Sequence, residues 1–215
     1  LAVITHKDGV TKVEQNNTTK TTNIDPFSLI GQLQSELLVD TSKLSQAQGI
    51  PFTGGAAGLF GFDLGRSIEV IPSTAAADIA MEDLCIGIYP WAIITDHELR
   101  SSYLVSQLNE LSTEALKADI LLATPAQAKE FALESDFVSN MTREQYAEKF
   151  YRVIDYIHAG DCYQVCLAQR FDAPYKGNPW AAYKQLRQVS PTPFSAYMET
   201  PEGALLSLSP ERFLK

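Results

Sequence analysis

Residues 193–213 read PFSAYMETPEGALLSLSPERF. Two runs rich in aromatic and aliphatic residues, PFSAYMET and ALLSLSP, are separated only by a turn at Pro201-Glu202-Gly203. So short a connection reads as a β-hairpin. Ser209-Pro210 then stops the second strand and delivers a carboxylate, Glu211, beside Arg212.

Working outward, NPWAAYKQLRQV (178–189) reads as a helix, with Asn178 as cap and Pro179 at the first helical position. Before it, CYQVCLAQRFDA (162–173) reads as a strand. MTREQYAEKFYRVIDYIHAGD (141–161) opens on a capping box, Thr142 with Gln145. Its apolar face is Tyr146, Phe150, Val153 and Ile157, and Gly160 suits a left-handed stop.

The opening residues, LAVITHKDGV, read as a strand and an Asp-Gly turn. Residues 12–23 are polar, an edge strand or a loop. NIDPFSLIGQLQSELL (23–38) is helical, with Asp25 as cap, Pro26 first, and an apolar face of Leu29, Leu33 and Leu37 with Ile30 and Leu38. The Gly-rich stretch 51–69 matches neither GxGxxG nor GxxxxGK[ST], so a closely packed strand and turn is expected rather than a phosphate loop. Residues 84–97 read as a strand pair broken by Pro90, 101–108 as a further strand and 112–124 as a helix. The polar connection 125–140 marks a boundary between lobes at 1–135 and 136–215. The element order favours an α+β class, antiparallel sheets with flanking helices, over strict βαβ alternation.

The net charge of -9 argues against nucleic acid and anionic membranes as partners. No apolar run approaches the ~20 residues that cross a bilayer, and no basic stretch followed by an apolar one opens the chain, so no signal peptide is expected. Three cysteines, Cys85, Cys162 and Cys166, point to a reducing, cytoplasmic compartment rather than a disulfide framework. Cys162 and Cys166 would share one face of their strand, which is poor support for a metal site. Both ends fall inside secondary structure, so a piece of a longer chain is expected.

Three places carry chemistry. Gln164, Gln169 and Arg170 interrupt an apolar stretch, either bracing the fold or lining a site. Glu211 is either a carboxylate paired with Arg212 or a catalytic acid, and an acid should be partly desolvated to hold its proton near neutrality. In PTPFSAY (191–197), Phe194 either joins the core or presents its ring to a small ligand, with Ser195 supplying a hydrogen bond.

Taken together and in order, GLFGFDLGR (58–66), MTREQYAEKF (141–150), GDCYQVCLAQRF (160–171), PFSAY (193–197) and LSLSPERF (206–213) resemble the aminodeoxychorismate synthase component I family of chorismate-utilising enzymes. The related anthranilate synthase component I family shares Ser-Pro-Glu but differs in the strand. QVCLAQRF is nearer that of the first family, with Cys166 in place of an Asn.

The resemblance implies stacked antiparallel sheets with flanking helices. It implies replacement of the ring 4-hydroxyl of chorismate by ammonia, giving 4-amino-4-deoxychorismate for folate synthesis. Ammonia would come from a partner glutamine amidotransferase, and Mg2+ would hold the substrate carboxylate. Glu211 falls on the family's proton donor to the departing hydroxyl. Pro193, Phe194 and Ser195 fall on part of an L-tryptophan pocket. The family's nucleophilic lysine, in Pro-Ile-Lys-Gly-Thr, and its magnesium-binding glutamates lie further along than these 215 residues, which are therefore expected to be inactive alone. A non-catalytic module binding tryptophan or the amidotransferase is the alternative outside enzymes.

Overall fold

The structure, a computed structural model, describes residues 1–40, 49–73, 76–124 and 129–215. The chain divides into two compact units, Leu1–Pro125 with Met198–Gly203, and Ala126–Tyr197 with Ala204–Lys215.

The first unit begins with three strands, β1 (Ala2–Lys7), β2 (Val10–Gln15) and β3 (Thr18–Thr22). Each connection is two residues long. Asp8-Gly9 and Asn16-Asn17 all have positive φ, at 49°, 78°, 51° and 57°. That geometry suits the right-handed twist of the flanking strands, and Asn, Asp and Gly tolerate it best. The polar stretch after Thr11 is therefore a hairpin, and its outer strand β3, Thr-Thr-Lys-Thr-Thr, is almost wholly exposed.

Helix α1 (Pro26–Leu37) follows, started by Asp25, whose carboxylate accepts a hydrogen bond from the Ser28 N–H at 2.8 Å. The Gly-rich stretch then forms β4 (Gly55–Phe60) and a 3-10 turn over Phe62–Ser67. With β5 (Leu84–Tyr89) the strands make an antiparallel sheet in the order β3-β2-β1-β5-β4. Glycine is required at Gly58: a Cβ there would collide with the Cys85 carbonyl on β5.

Alternation along β1 sends Ala2, Ile4 and His6 to one face. Ala2 and Ile4 join Leu84, Ile86 and Ile88 of β5 under Leu29, Ile30 and Leu33 of α1. Burial of each large aliphatic here contributes about 1.5–3 kcal/mol. The helix face differs from expectation at one end, where Leu37 is exposed and Leu38 packs against the core.

Residues 84–97 do form two strands, but they do not pair with each other. Pro90 ends β5, and β6 (Trp91–Asp96) pairs antiparallel with β7 (Ser101–Ser106) in a separate ribbon. Helix α2 (Glu110–Leu122) starts two residues earlier than Ser112, because Asn109 caps it through the Ser112 N–H.

In the second unit, the polar connection contains two short strands, β8 (Ala132–Leu133) and β9 (Val138–Ser139). Helix α3 (Arg143–Ala159) has the expected capping box, and Gly160 follows it at φ 81°. Its apolar positions Tyr146, Val153 and Ile157 are half-covered, and Phe150 is exposed.

The predicted strand over 162–173 does not form. Residues 162–170 have no regular structure, and only β10 (Phe171–Asp172) pairs, antiparallel with β9. A strand needs a neighbouring ladder, and among the described residues none runs beside 162–169. The shared strand face assigned to Cys162 and Cys166 goes with it.

Next, β11 (Tyr175–Lys176) pairs with β8, and α4 (Pro179–Val189) starts at Asn178, which accepts from the Trp180 N–H at 2.8 Å. Strands β12 (Phe194–Thr200) and β13 (Gly203–Ser209) form the hairpin read from the sequence. The ladders β1–β2, β1–β5, β2–β3, β4–β5, β6–β7, β8–β11 and β9–β10 are all antiparallel, in keeping with an α+β class.

Candidate active site

The two-residue loop Pro201-Glu202 returns β13 alongside β12, so the start of one and the end of the other lie at the same end of the ribbon. Phe194 stands at that start and Ser209 at that end. The candidate residues 193–195 and 211 are thereby neighbours, although sixteen or more positions separate them in the chain.

The entry side is held by hydroxyls. Ser195 Oγ donates to the Thr192 carbonyl at 2.9 Å and lies 2.7 Å from Thr192 Oγ1. The Ser195 hydroxyl is thus committed to its own turn, with acceptor capacity left for a ligand. Pro193 is exposed, and the Phe194 ring is 37% exposed, so the ring is neither core nor free.

The exit side is held by another hydroxyl. Ser209 Oγ donates to the Glu211 carbonyl at 2.9 Å and accepts from the Glu211 N–H at 3.3 Å. Pro210 between them has φ fixed by its ring. One residue further, the Arg212 guanidinium lies 5.3 Å from the centroid of the Phe194 ring. Among the described residues Arg212 forms no ion pair with Glu211, so the paired-carboxylate alternative is not what the structure contains. Glu211 is exposed, and the desolvation expected of a proton donor is not supplied by the described residues.

Behind the hairpin, Trp180 and Tyr183 of α4 stack at 5.4 Å, and Tyr197 of β12 meets Trp180 edge-on at 4.9 Å. This cluster fastens β12 to α4. A cavity of about 810 Å³ lies in the same unit, lined by Phe131, Leu133, Phe137, Phe171 and Tyr175 with Ala204 and Leu206 of β13. Neither this cavity nor the Arg212 contact was legible in the sequence. The three phenylalanines fall in stretches read as a connection and a strand, and nothing local shows that they converge.

Of the two readings of Gln169 and Arg170, the structure shows bracing. Gln169 Nε2 donates to Ser139 Oγ at 2.7 Å, and Arg170 N–H donates to Asn140 Oδ1 at 3.1 Å. The Arg170 guanidinium meets Asp172 at 3.1 Å. Gln164 is exposed. Among the described residues no three His, Cys, Asp or Glu side chains gather to hold a metal ion. The described residues therefore do not compose a magnesium site.

Residues 3–215 match the family described as chorismate binding enzyme. The chain is 44% identical over 204 residues to aminodeoxychorismate synthase component 1 of Escherichia coli (strain K12), covering 95% of this chain and 44% of that protein. The protein of the same name from Klebsiella aerogenes is 43% identical, over 99% of this chain and 46% of the other. Anthranilate synthase component 1 of Thermus thermophilus is 32% identical over 171 residues, 77% of this chain and 37% of that protein. In fold, the chain is similar to anthranilate synthase component I from Streptococcus pneumoniae TIGR4, with a TM-score of 0.75 at 21% identity, over 98% of this chain and 48% of the other. The chain thus spans about half the length, or less, of the relatives it matches.

Proposed function

The chain belongs to the chorismate binding enzyme family, and from that premise we propose that it works in an aminodeoxychorismate synthase component 1. Chorismate loses its ring 4-hydroxyl as water and gains ammonia, giving 4-amino-4-deoxychorismate for the folate route. The observation that carries this reading is the 41–44% identity to three aminodeoxychorismate synthases across at least 95% of the chain. The anthranilate synthase of Thermus thermophilus matches at 32% over 77%.

Within the reading, Glu211 gives a proton to the departing hydroxyl, because water leaves far more readily than hydroxide. Its place just past a strand end, with its peptide held by Ser209, supports that role. Pro193, Phe194 and Ser195 form one wall of an L-tryptophan pocket, supported by the partly exposed Phe194 ring. Ammonia comes from a glutamine amidotransferase, in keeping with the word component in the relatives' names. Mg2+, as the resemblance implies, is held by residues other than those described. The place of work is the cytoplasm, in keeping with three free cysteines among the described residues. The 215 residues alone do not turn over chorismate.

The test is product analysis with chorismate and an ammonium salt on the full-length protein. Formation of 4-amino-4-deoxychorismate without release of pyruvate supports the reading. Anthranilate with one pyruvate per turnover overturns it in favour of the anthranilate synthase reaction. Native-like turnover by the purified 215 residues overturns the proposed inactivity.

A further inference from the structure

We infer that Arg212 is a positioning residue for Glu211 and that the Phe194 ring is the platform on which it is held. The inference rests on the reading of Glu211 as proton donor.

Beyond Ser209 the chain leaves its ladder, and Glu211, Arg212 and Phe213 are all exposed. A carboxylate on such a segment would sample many directions, and chemistry that depends on orientation would suffer. Two tethers prevent this, one on each side of Glu211. Before it, Ser209 Oγ closes on both the N–H and the carbonyl of Glu211. After it, the Arg212 guanidinium lies over the Phe194 ring at 5.3 Å. The residue bracketed by the two tethers is the proposed acid.

The platform is itself fixed. Phe194 follows Pro193, whose φ is set by its ring. The residues flanking Pro193-Phe194 are tied together, the Thr192 carbonyl and hydroxyl both bonding Ser195 Oγ. The sequence 192–195 therefore acts on Glu211 through one contact, Phe194 to Arg212. A guanidinium suits this task because it is planar and stacks on an aromatic face. Its guanidinium lies over the ring and forms no ion pair with the neighbouring carboxylate among the described residues.

The experiment uses the full-length protein with chorismate and an ammonium salt, and measures kcat and KM separately. An exposed cation–π contact of this kind translates into a drop in kcat of about two- to fivefold for Phe194→Leu and for Arg212→Met, with KM for chorismate unchanged. Phe194→Tyr, which keeps the ring face, restores kcat. The double variant Phe194→Leu/Arg212→Met is no slower than either single one, because the two residues act through one contact. Wild-type kcat in both single variants, additive losses in the double one, or no rescue by Tyr overturns the inference. Glu211→Gln separates the two levels. If it is inactive while the stack variants run at the wild-type rate, only the positioning role fails. If it retains full turnover, the acid assignment fails and takes the positioning role with it.

Discussion

His6 Nδ1 lies 2.8 Å from Thr11 Oγ1, across the first hairpin, and both side chains are nearly sealed from solvent at 6% and 2% exposure. The two residues are register partners on β1 and β2. Thr11 Oγ1 also reaches the Ile24 carbonyl at 3.4 Å. The hydroxyl thus lies between the imidazole and that carbonyl, and which of His6 and Thr11 donates follows the ring's tautomer.

Thr11→Val keeps the shape of the side chain and removes its oxygen. It leaves a buried ring nitrogen without its hydrogen-bond partner, which costs about 1–3 kcal/mol. Urea unfolding followed by circular dichroism measures the loss, and Thr11→Ser recovers most of it. An unchanged midpoint in the Val variant would show that the pair contributes nothing.

Asp25 governs part of the acid limb of stability. The Ser28 N–H, bonded to its carboxylate at 2.8 Å, is the main reason the group is held below its ordinary value of 3.8. A depressed folded value means stability that is complete above the unfolded value and lost as pH falls through the folded one. Thermal melts between about pH 5 and about pH 2 should therefore fall less steeply in Asp25→Asn than in the wild type, while the two stay close at neutral pH, since Asn also caps well. Parallel acid limbs would contradict the assignment.

Much of this was legible because local chemistry dictated it. Asp25-Pro26, Thr142 with Gln145, Gly160 and Asn178-Pro179 each satisfy or terminate a helix end within a few residues, and each does so in the structure. The hairpin over 194–209 was readable for the same reason. What failed was long-range. Residues 162–170 alternate like a strand, but alternation reports side-chain direction and not whether a neighbouring strand exists. Pro90 signalled a break, yet nothing in residues 84–97 told that β5 would pair with β1 and β4 while β6 paired with β7. At the candidate site, Glu211 and Phe194 could be named from their own segments, whereas the Arg212–Phe194 contact depends on the hairpin closing.

Gly58 faces the Cys85 carbonyl so closely that no side chain fits, and its φ of 154° is unfavourable for one. Gly58→Ala forces β4 away from β5 and destabilises by about 1–3 kcal/mol, as overpacking does. Chemical denaturation reads the effect, and Ala57→Ser, one residue away on the same strand, serves as the comparison with little change.

Glu211→Gln in the full-length protein should lower kcat by a factor of about 10²–10⁴, the usual worth of a positioned proton donor. Its melting temperature should not move, because Glu211 is exposed and only its backbone is bonded. A stable variant with undiminished turnover would remove Glu211 from the chemistry.

The outer strand β3 has one further consequence. Among the described residues no further strand pairs with its outer edge, which presents Thr-Thr-Lys-Thr-Thr, with Lys20 at the centre and hardly any apolar surface. A second chain adding itself there would have to strip water from an ammonium group and gain no greasy contact in return. That exchange disfavours pairing with a second molecule along this border, and Lys20 blunts an edge that its threonines would otherwise make inviting.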